Sequence, residues 1–153
     1  MKLTTLGCWG AYPYQDGGTT SYLVTGHNGF QLLMDAGSRA VTELEKEISP
    51  LDLDAVIISH YHPDHVADLG VLRHYFQLYP KHLWEPKVLP IYGHDEDRYE
   101  FAKLTMDGVS QGHAYDVTGI EQIGPFDISF IKTVHPVPCY AFRIVERETG
   151  QVL

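Results

Sequence analysis

The feature that most constrains this chain is a run of buried-type residues that ends in a cluster of histidines. Ala55-Val56-Ile57-Ile58-Ser59 is continuous, apolar and rich in β-branched side chains. A run of this kind suits a strand covered on both faces, as in the middle of a parallel sheet. It runs directly into His60-Tyr61-His62-Pro63-Asp64-His65, three imidazoles and one carboxylate within six positions. Open α/β sheets bind ligands where their strands emerge at the carboxyl edge, so the cluster stands where chemistry is expected.

The local geometry favours a metal. In extended backbone, residues two apart point the same way, so His60 and His62 face one side. Pro63 biases His62 away from helical angles and is well suited to the first position of a following helix. Asp64 and His65 then fall in the first helical turn, where the helix dipole favours a carboxylate. A further imidazole and a carboxylate beside a pair of histidines fit two adjacent divalent ions. Zinc suits this donor set best, with iron and manganese also compatible. His135, in Val134-His135-Pro136-Val137-Pro138 after an apolar strand, is the best candidate for a third ligand of the first site. The competing readings are a surface switch that titrates near neutrality or an incidental metal-binding tract. Both leave the strand-end placement and the proline unexplained.

The rest of the chain gives these motifs a frame. The 153 residues fit one domain spanning 1–153. Strands are expected over 2–9, 21–25 and 30–34, the last two joined by a turn at Gly26-His27-Asn28-Gly29. Residues 10–20 read as a loop. Ser38 is expected to cap a helix over 38–48. Apolar spacing predicts one continuous helix over 64–79 and another over 95–105. Strands are expected over 88–92, 114–117, 127–134 and 139–145. Glu148-Thr149-Gly150-Gln151 reads as a hairpin turn, with Val152-Leu153 starting a return strand. Alternating strands and helices mark the α/β class, with a mixed sheet because the hairpins are antiparallel.

Composition narrows the partners. A net charge of −9 disfavours a broad nucleic-acid surface. Two cysteines, Cys8 and Cys139, are too few for a disulfide framework and are expected to be buried or half-buried thiols in a reducing cytoplasm. No apolar run is long enough to cross a bilayer. Tyr61, Tyr75, Phe76, Tyr79, His82 and Trp84 are candidates for a substrate pocket, although helix packing accounts for most of them. Lys81, Lys87 and Arg73 read as solvated cations.

His60-Tyr61-His62-Pro63-Asp64-His65, the preceding strand and the turn Asp35-Ala36-Gly37 together resemble the metallo-β-lactamase superfamily, whose motif is HxHxDH. The stretch from His135 to Ile144 resembles the branch containing ribonuclease Z and related phosphodiesterases, and the opening Leu6-Gly7-Cys8-Trp9-Gly10-Ala11-Tyr12-Pro13 resembles bacterial members of that branch with no settled substrate. The resemblance implies a four-layer αββα sandwich, with mixed sheets flanked by helices. It implies a first metal site of His60, His62 and His135, and a second beginning with Asp64 and His65. Asp35 would hold the ligand loop by hydrogen bonds; the simpler reading is a strand-end turn residue. Two zinc ions in the complete protein, with manganese or iron as alternatives, would hold a hydroxide that attacks a phosphodiester, and Asp64 would orient it. A small diester is favoured over RNA, and an oligomer is compatible. The same centre could instead serve thioester or lactone hydrolysis, or the chain could be an inactive metal-binding fragment.

Family members also carry a bridging aspartate and a late histidine. After His135 this sequence has no aspartate or histidine, only Glu146 and Glu148 as acids. The expectation is therefore the N-terminal portion of the fold, with the second half largely missing.

Overall fold

The computed structural model describes residues 1–79 and 87–153. His82, Trp84 and Lys81 lie outside the described residues. The chain forms a seven-stranded sheet in the order β2-β1-β3-β4-β5-β6-β7 and a three-stranded sheet in the order β10-β9-β8. The large sheet comprises β1 (Lys2–Trp9), β2 (Gly18–Thr19), β3 (Ser21–Thr25), β4 (Gln31–Met34), β5 (Ala55–Ile57), β6 (Leu89–Gly93) and β7 (Ser110–Ala114). The small sheet comprises β8 (Glu121–Ile123), β9 (Phe126–Lys132) and β10 (Tyr140–Glu146). The sheet is mixed as expected: β1–β3 and β3–β4 are antiparallel, while β4, β5, β6 and β7 run parallel.

The alternation of side chains across each strand builds two cores. Leu23, Leu33, Val56, Ile58 and Ile91 point to one face of the large sheet. There they meet Ala40, Val41 and Leu44 of helix α1 (Ala40–Leu44) and Leu69, Leu72 and Phe76 of helix α3 (Leu69–Leu78). Val24, Leu32, Ala55 and Ile57 point to the other face, against Ile123, Phe126, Ile128, Tyr140 and Ile144 of the small sheet. Strand β5 is buried along its whole length and feeds both cores, as its continuous apolar run requires. Among the described residues the helices pack only into the first core. The layers are therefore helix, sheet, sheet.

Several local expectations are corrected. Ser38 does not cap α1. Its N–H donates to Thr19 Oγ1 at 2.6 Å and its carbonyl accepts from Thr19 N at 3.0 Å, which ties it to β2 inside the supposed loop. Arg39 occupies the N-cap in a left-handed conformation, and the first turn is served from a distance by Asp68, whose Oδ2 accepts from Val41 N at 3.1 Å. The helix over 64–79 is two pieces, α2 (Pro63–Val66) and α3, parted at Asp68, whose N–H donates to Ala36 O at 2.9 Å. Helix α4 covers only Arg98–Ala102, started by Asp97, whose side chain accepts from Tyr99 N and Glu100 N. The strand expected over 114–117 lies at Ser110–Ala114, a polar edge strand without the apolar alternation that pattern reading seeks. Strand β8 lies in a stretch where no sequence pattern announces a strand. Thr133 and Val134 lie beyond the end of β9. The turn after β10 forms as expected, with Val152 bridging back to Val145. Cys8 is exposed and Cys139 half-buried, both free. Arg73 is not simply solvated: its guanidinium donates to the Lys103 carbonyl.

Candidate metal centre

Parallel strands place their carboxyl ends on one edge, and this chain puts a polar residue just past three of them. Asp35 follows β4, Ser59 and His60 follow β5, and His94 follows β6. His62 sits at the N-cap of α2 with φ −64 and ψ 147, extended as the following proline dictates, and Pro63 opens the helix. His135 comes from the other sheet, in the connection between β9 and β10. The two sheets are tied here by Tyr140 N donating to Ser59 O at 3.2 Å.

One ring nitrogen from each of His60, His62 and His135 lies within 4.8 Å of the others. His62 Nδ1 stands 3.2 Å from His60 Nε2 and 3.0 Å from His135 Nε2. A single ring nitrogen has one in-plane valence, either a proton or a lone pair. It cannot make good hydrogen bonds with two other ring nitrogens at once. Tetrahedral zinc with Zn–N bonds of about 2.0–2.1 Å sets its nitrogens about 3.4 Å apart, close to these separations. The donor set therefore fits a divalent cation. His60 is buried, His62 half-buried and His135 exposed.

The arrangement behind His60 selects its tautomer. Asp35 accepts from Ser59 N through Oδ1 at 2.7 Å and from Ser59 Oγ through Oδ2 at 2.8 Å. An ionised carboxylate only accepts, so the serine hydroxyl spends its one proton on Asp35. Ser59 Oγ is then the acceptor toward His60 Nδ1 at 3.0 Å, which leaves Nε2 with its lone pair facing the site. Burial, followed by the neighbouring histidines, pushes the His60 pKa down to about 3, so the ring is neutral near pH 7. His65 Nδ1 likewise donates to Asp35 Oδ2 at 2.7 Å, leaving Nε2 directed toward Asp64 Oδ2 at 3.7 Å. Burial opposes charge on His65, but the Asp35 bond and charge outweigh it and raise its pKa. Burial alone would raise Asp64; the Ala11 N–H, donating to Oδ2 at 2.9 Å, and the nearby histidine hold it below its ordinary value.

Asp35 takes a left-handed φ of 57°, which aspartate tolerates better than most residues. Its backbone is fixed by Asp35 N donating to Ile57 O at 2.9 Å and Ser21 Oγ donating to its carbonyl at 3.0 Å. It is therefore more than a turn residue. Asp64 and His65 lie beside the three-histidine group without joining it, and among the described residues they supply only two donors to any second ion.

Three contributors escaped sequence reasoning. The Ser59 hydroxyl and the Ala11 amide carry no motif. His94 could have been found by applying to β6 the strand-end argument used for β5. Of the aromatic candidates, Tyr61 lines a cleft beside His62, Phe76 is in the helical core, and Tyr75 and Tyr79 stack on each other with ring centres 5.8 Å apart.

The sequence is 42% identical over 146 residues to a protein described as a probable metallo-hydrolase, YhfI of Bacillus subtilis, covering 95% of this chain and 59% of that one. The crystal structure of the metallo-beta-lactamase fold protein YhfI superimposes with a TM-score of 0.87, over 94% of this chain and 57% of that one. Ribonuclease Z of Chlamydia trachomatis is 29% identical over 99% of this chain and 51% of its own length. Human tRNase Z, short form, shares the fold at a TM-score of 0.74 and 21% identity, over 99% of this chain and 66% of that one. The chain thus spans somewhat more than half the length of the relatives it matches. The metallo-beta-lactamase superfamily model matches residues 14–153, and agreement over that much of the sequence makes this chain a member of that superfamily.

Proposed function

We propose that the protein is a metal-dependent phosphodiesterase whose first cation, zinc by donor preference, is held by His60, His62 and His135. The observation that carries the reading is the convergence of three imidazole nitrogens, two of them 3.0 and 3.2 Å from the third. A second ion would begin at Asp64 and His65. A bound divalent ion of this type lowers the pKa of water to about 7 and offsets charge on the substrate oxygens.

The chain's own residues prepare that chemistry. Asp35, through Ser59, keeps His60 Nε2 unprotonated, and by accepting directly from His65 Nδ1 it directs His65 Nε2 outward. Asp64, ionised and pinned by the Ala11 amide, is placed to orient an attacking water. A phosphodiester is supported by the likeness to ribonuclease Z over nearly the whole chain. A small diester is favoured over RNA by the net charge of −9. Two free cysteines agree with a reducing cytoplasm.

The test is elemental analysis of tag-free protein, followed by comparison of a phosphodiester with a thioester on zinc-loaded protein. We expect bound zinc that is lost on substitution of any one of the three histidines, and turnover in favour of the diester. Absence of zinc overturns the centre; faster thioester cleavage overturns the substrate class.

A further inference from the structure

Beside the histidine group lies a cleft of about 190 Å³ lined by Tyr61, His62, His94, Asp97, Glu100, Val137 and Pro138. His94 carries the most information. It is 2% exposed, and neither ring nitrogen has a hydrogen-bond partner. The Pro138 backbone lies close enough to favour the ring's protonated form, without hydrogen-bond geometry to either nitrogen. The ring is fixed by packing: it lies 4.6 Å from the Tyr61 ring and 5.8 Å from that of Tyr140, and Tyr61 Oη donates to the His94 carbonyl at 2.7 Å. Buried polar groups are almost always paired, so an unpaired imidazole in the wall of a cleft points to a ligand that completes it. Burial lowers its pKa, so the ring is neutral and offers one donor and one acceptor.

The rest of the lining sets the sign of that ligand. Asp97 and Glu100 both line the cleft, and among the described residues no lysine or arginine lines it. Among the described residues, Lys103 is committed to Glu100 at 2.6 Å and Lys132 to Glu96 at 2.7 Å. Asp97 Oδ1 is occupied by the α4 amides, and its charge remains. An anionic group entering beside Asp97 would meet a carboxylate with no ion pair of its own, next to a Glu100 whose Oε1 alone is engaged by Lys103, whereas an ammonium would gain charge-assisted hydrogen bonds.

We infer that this cleft is the leaving-group subsite of the proposed diesterase and takes a short amine-bearing alcohol rather than a second phosphate, with His94 and Glu100 as its polar contacts. The inference rests on the phosphodiesterase reading, because the phosphorus must sit at the histidine group for the leaving group to reach the cleft.

The experiment is calorimetric titration of zinc-loaded protein with inorganic phosphate, phosphoethanolamine and pyrophosphate. We expect phosphoethanolamine to bind about tenfold more tightly than phosphate, the scale of one charge-assisted hydrogen bond. Pyrophosphate should bind no more tightly than phosphate. In His94→Ala and in Glu100→Gln the phosphoethanolamine-to-phosphate ratio should fall toward one. Glu100→Gln alters only a half-buried helix residue, so it stays informative if His94→Ala fails to fold. A pyrophosphate preference, or a ratio unchanged in Glu100→Gln, overturns the subsite. If phosphate binds and the amine adds nothing, the subsite alone fails. If zinc is not taken up or phosphate does not bind, the metal-centre reading fails and the subsite with it.

Discussion

Replacing Asp35 by asparagine tests the logic of the centre most directly, because the side chain keeps its shape and tolerates the left-handed φ of 57°. With the amide oxygen on Ser59 N, the new NH₂ takes the place of Oδ2, which now accepts from Ser59 Oγ at 2.8 Å and His65 Nδ1 at 2.7 Å. Two donors would then face a donor. To avoid this, the serine hydroxyl must turn and His65 must move its proton to Nε2, while His60 Nδ1 loses its acceptor. Two hydrogen bonds to an ionised group at about 1.5–3 kcal/mol each, partly recovered by rearrangement, give a stability loss of about 2–4 kcal/mol. Loss of a group that orients ligand histidines typically lowers metal affinity about 10–100-fold. Urea unfolding of metal-free protein reads the first quantity, and competition against a chromophoric chelator reads the second. Nitrogen-15 imidazole spectra report the tautomers. Zinc affinity equal to that of the unaltered chain, with His60 and His65 still protonated on Nδ1, would refute the tautomer argument whatever happened to stability.

Three further outcomes follow from the same structure. His135→Ala should abolish tight zinc binding yet change unfolding free energy by less than about 0.5 kcal/mol, because the residue is exposed; His60→Ala, at a buried position, should cost about 1–3 kcal/mol as well as the metal. Gly93→Ala would put a Cβ 2.4 Å from Tyr61 Oη and 2.8 Å from Leu104 Cδ1, so urea titration should show a loss of about 1–3 kcal/mol, partly relieved by adding Tyr61→Phe. Glu146 is held down to about 2 by the Thr149 hydroxyl, the His27 amide and the N-terminal ammonium. Its contribution is complete above the ordinary value of 4.5 and disappears as pH falls through about 2, so the urea midpoint should drop across that window and drop less steeply in Glu146→Gln.

Strong local signals were legible in the sequence and long-range ones were not. The β5 run carried its double burial in its composition, and Pro63 dictated an extended His62. Both depend on neighbours within a few residues. Serine before a helix commonly caps it, yet Ser38 does not. The competing partner, Thr19, lies nineteen positions away in a two-residue strand that no pattern announces. The break between α2 and α3 follows from Asp68 serving Ala36 and Val41, again across the chain. Strand β7 was misplaced because an edge strand buries little and need not alternate. The three histidines were found by type and spacing. Ser59 was not, because a hydroxyl that fixes a tautomer differs in sequence from no other serine.

The division of the three histidines between the sheets gives the proposed metal a structural consequence. His60 and His62 follow β5 of the large sheet, while His135 hangs from the small sheet, exposed and followed by Pro136 and Pro138. A cation shared by all three joins the sheets at the edge where the direct backbone tie is Tyr140 N to Ser59 O. Ligand that binds only the folded state adds RT ln(1 + [L]/Kd), about 2.7 kcal/mol at a hundredfold excess over Kd. Because His60 is set in advance by Ser59 and Asp35 whereas His135 is not, ordering on zinc addition should concentrate in the β9–β10 connection. Amide exchange should slow most at Thr133 to Cys139 and least along β5, which is buried with or without metal. Uniform slowing across both sheets would mean that the small sheet was already locked, and that the cation does not join them.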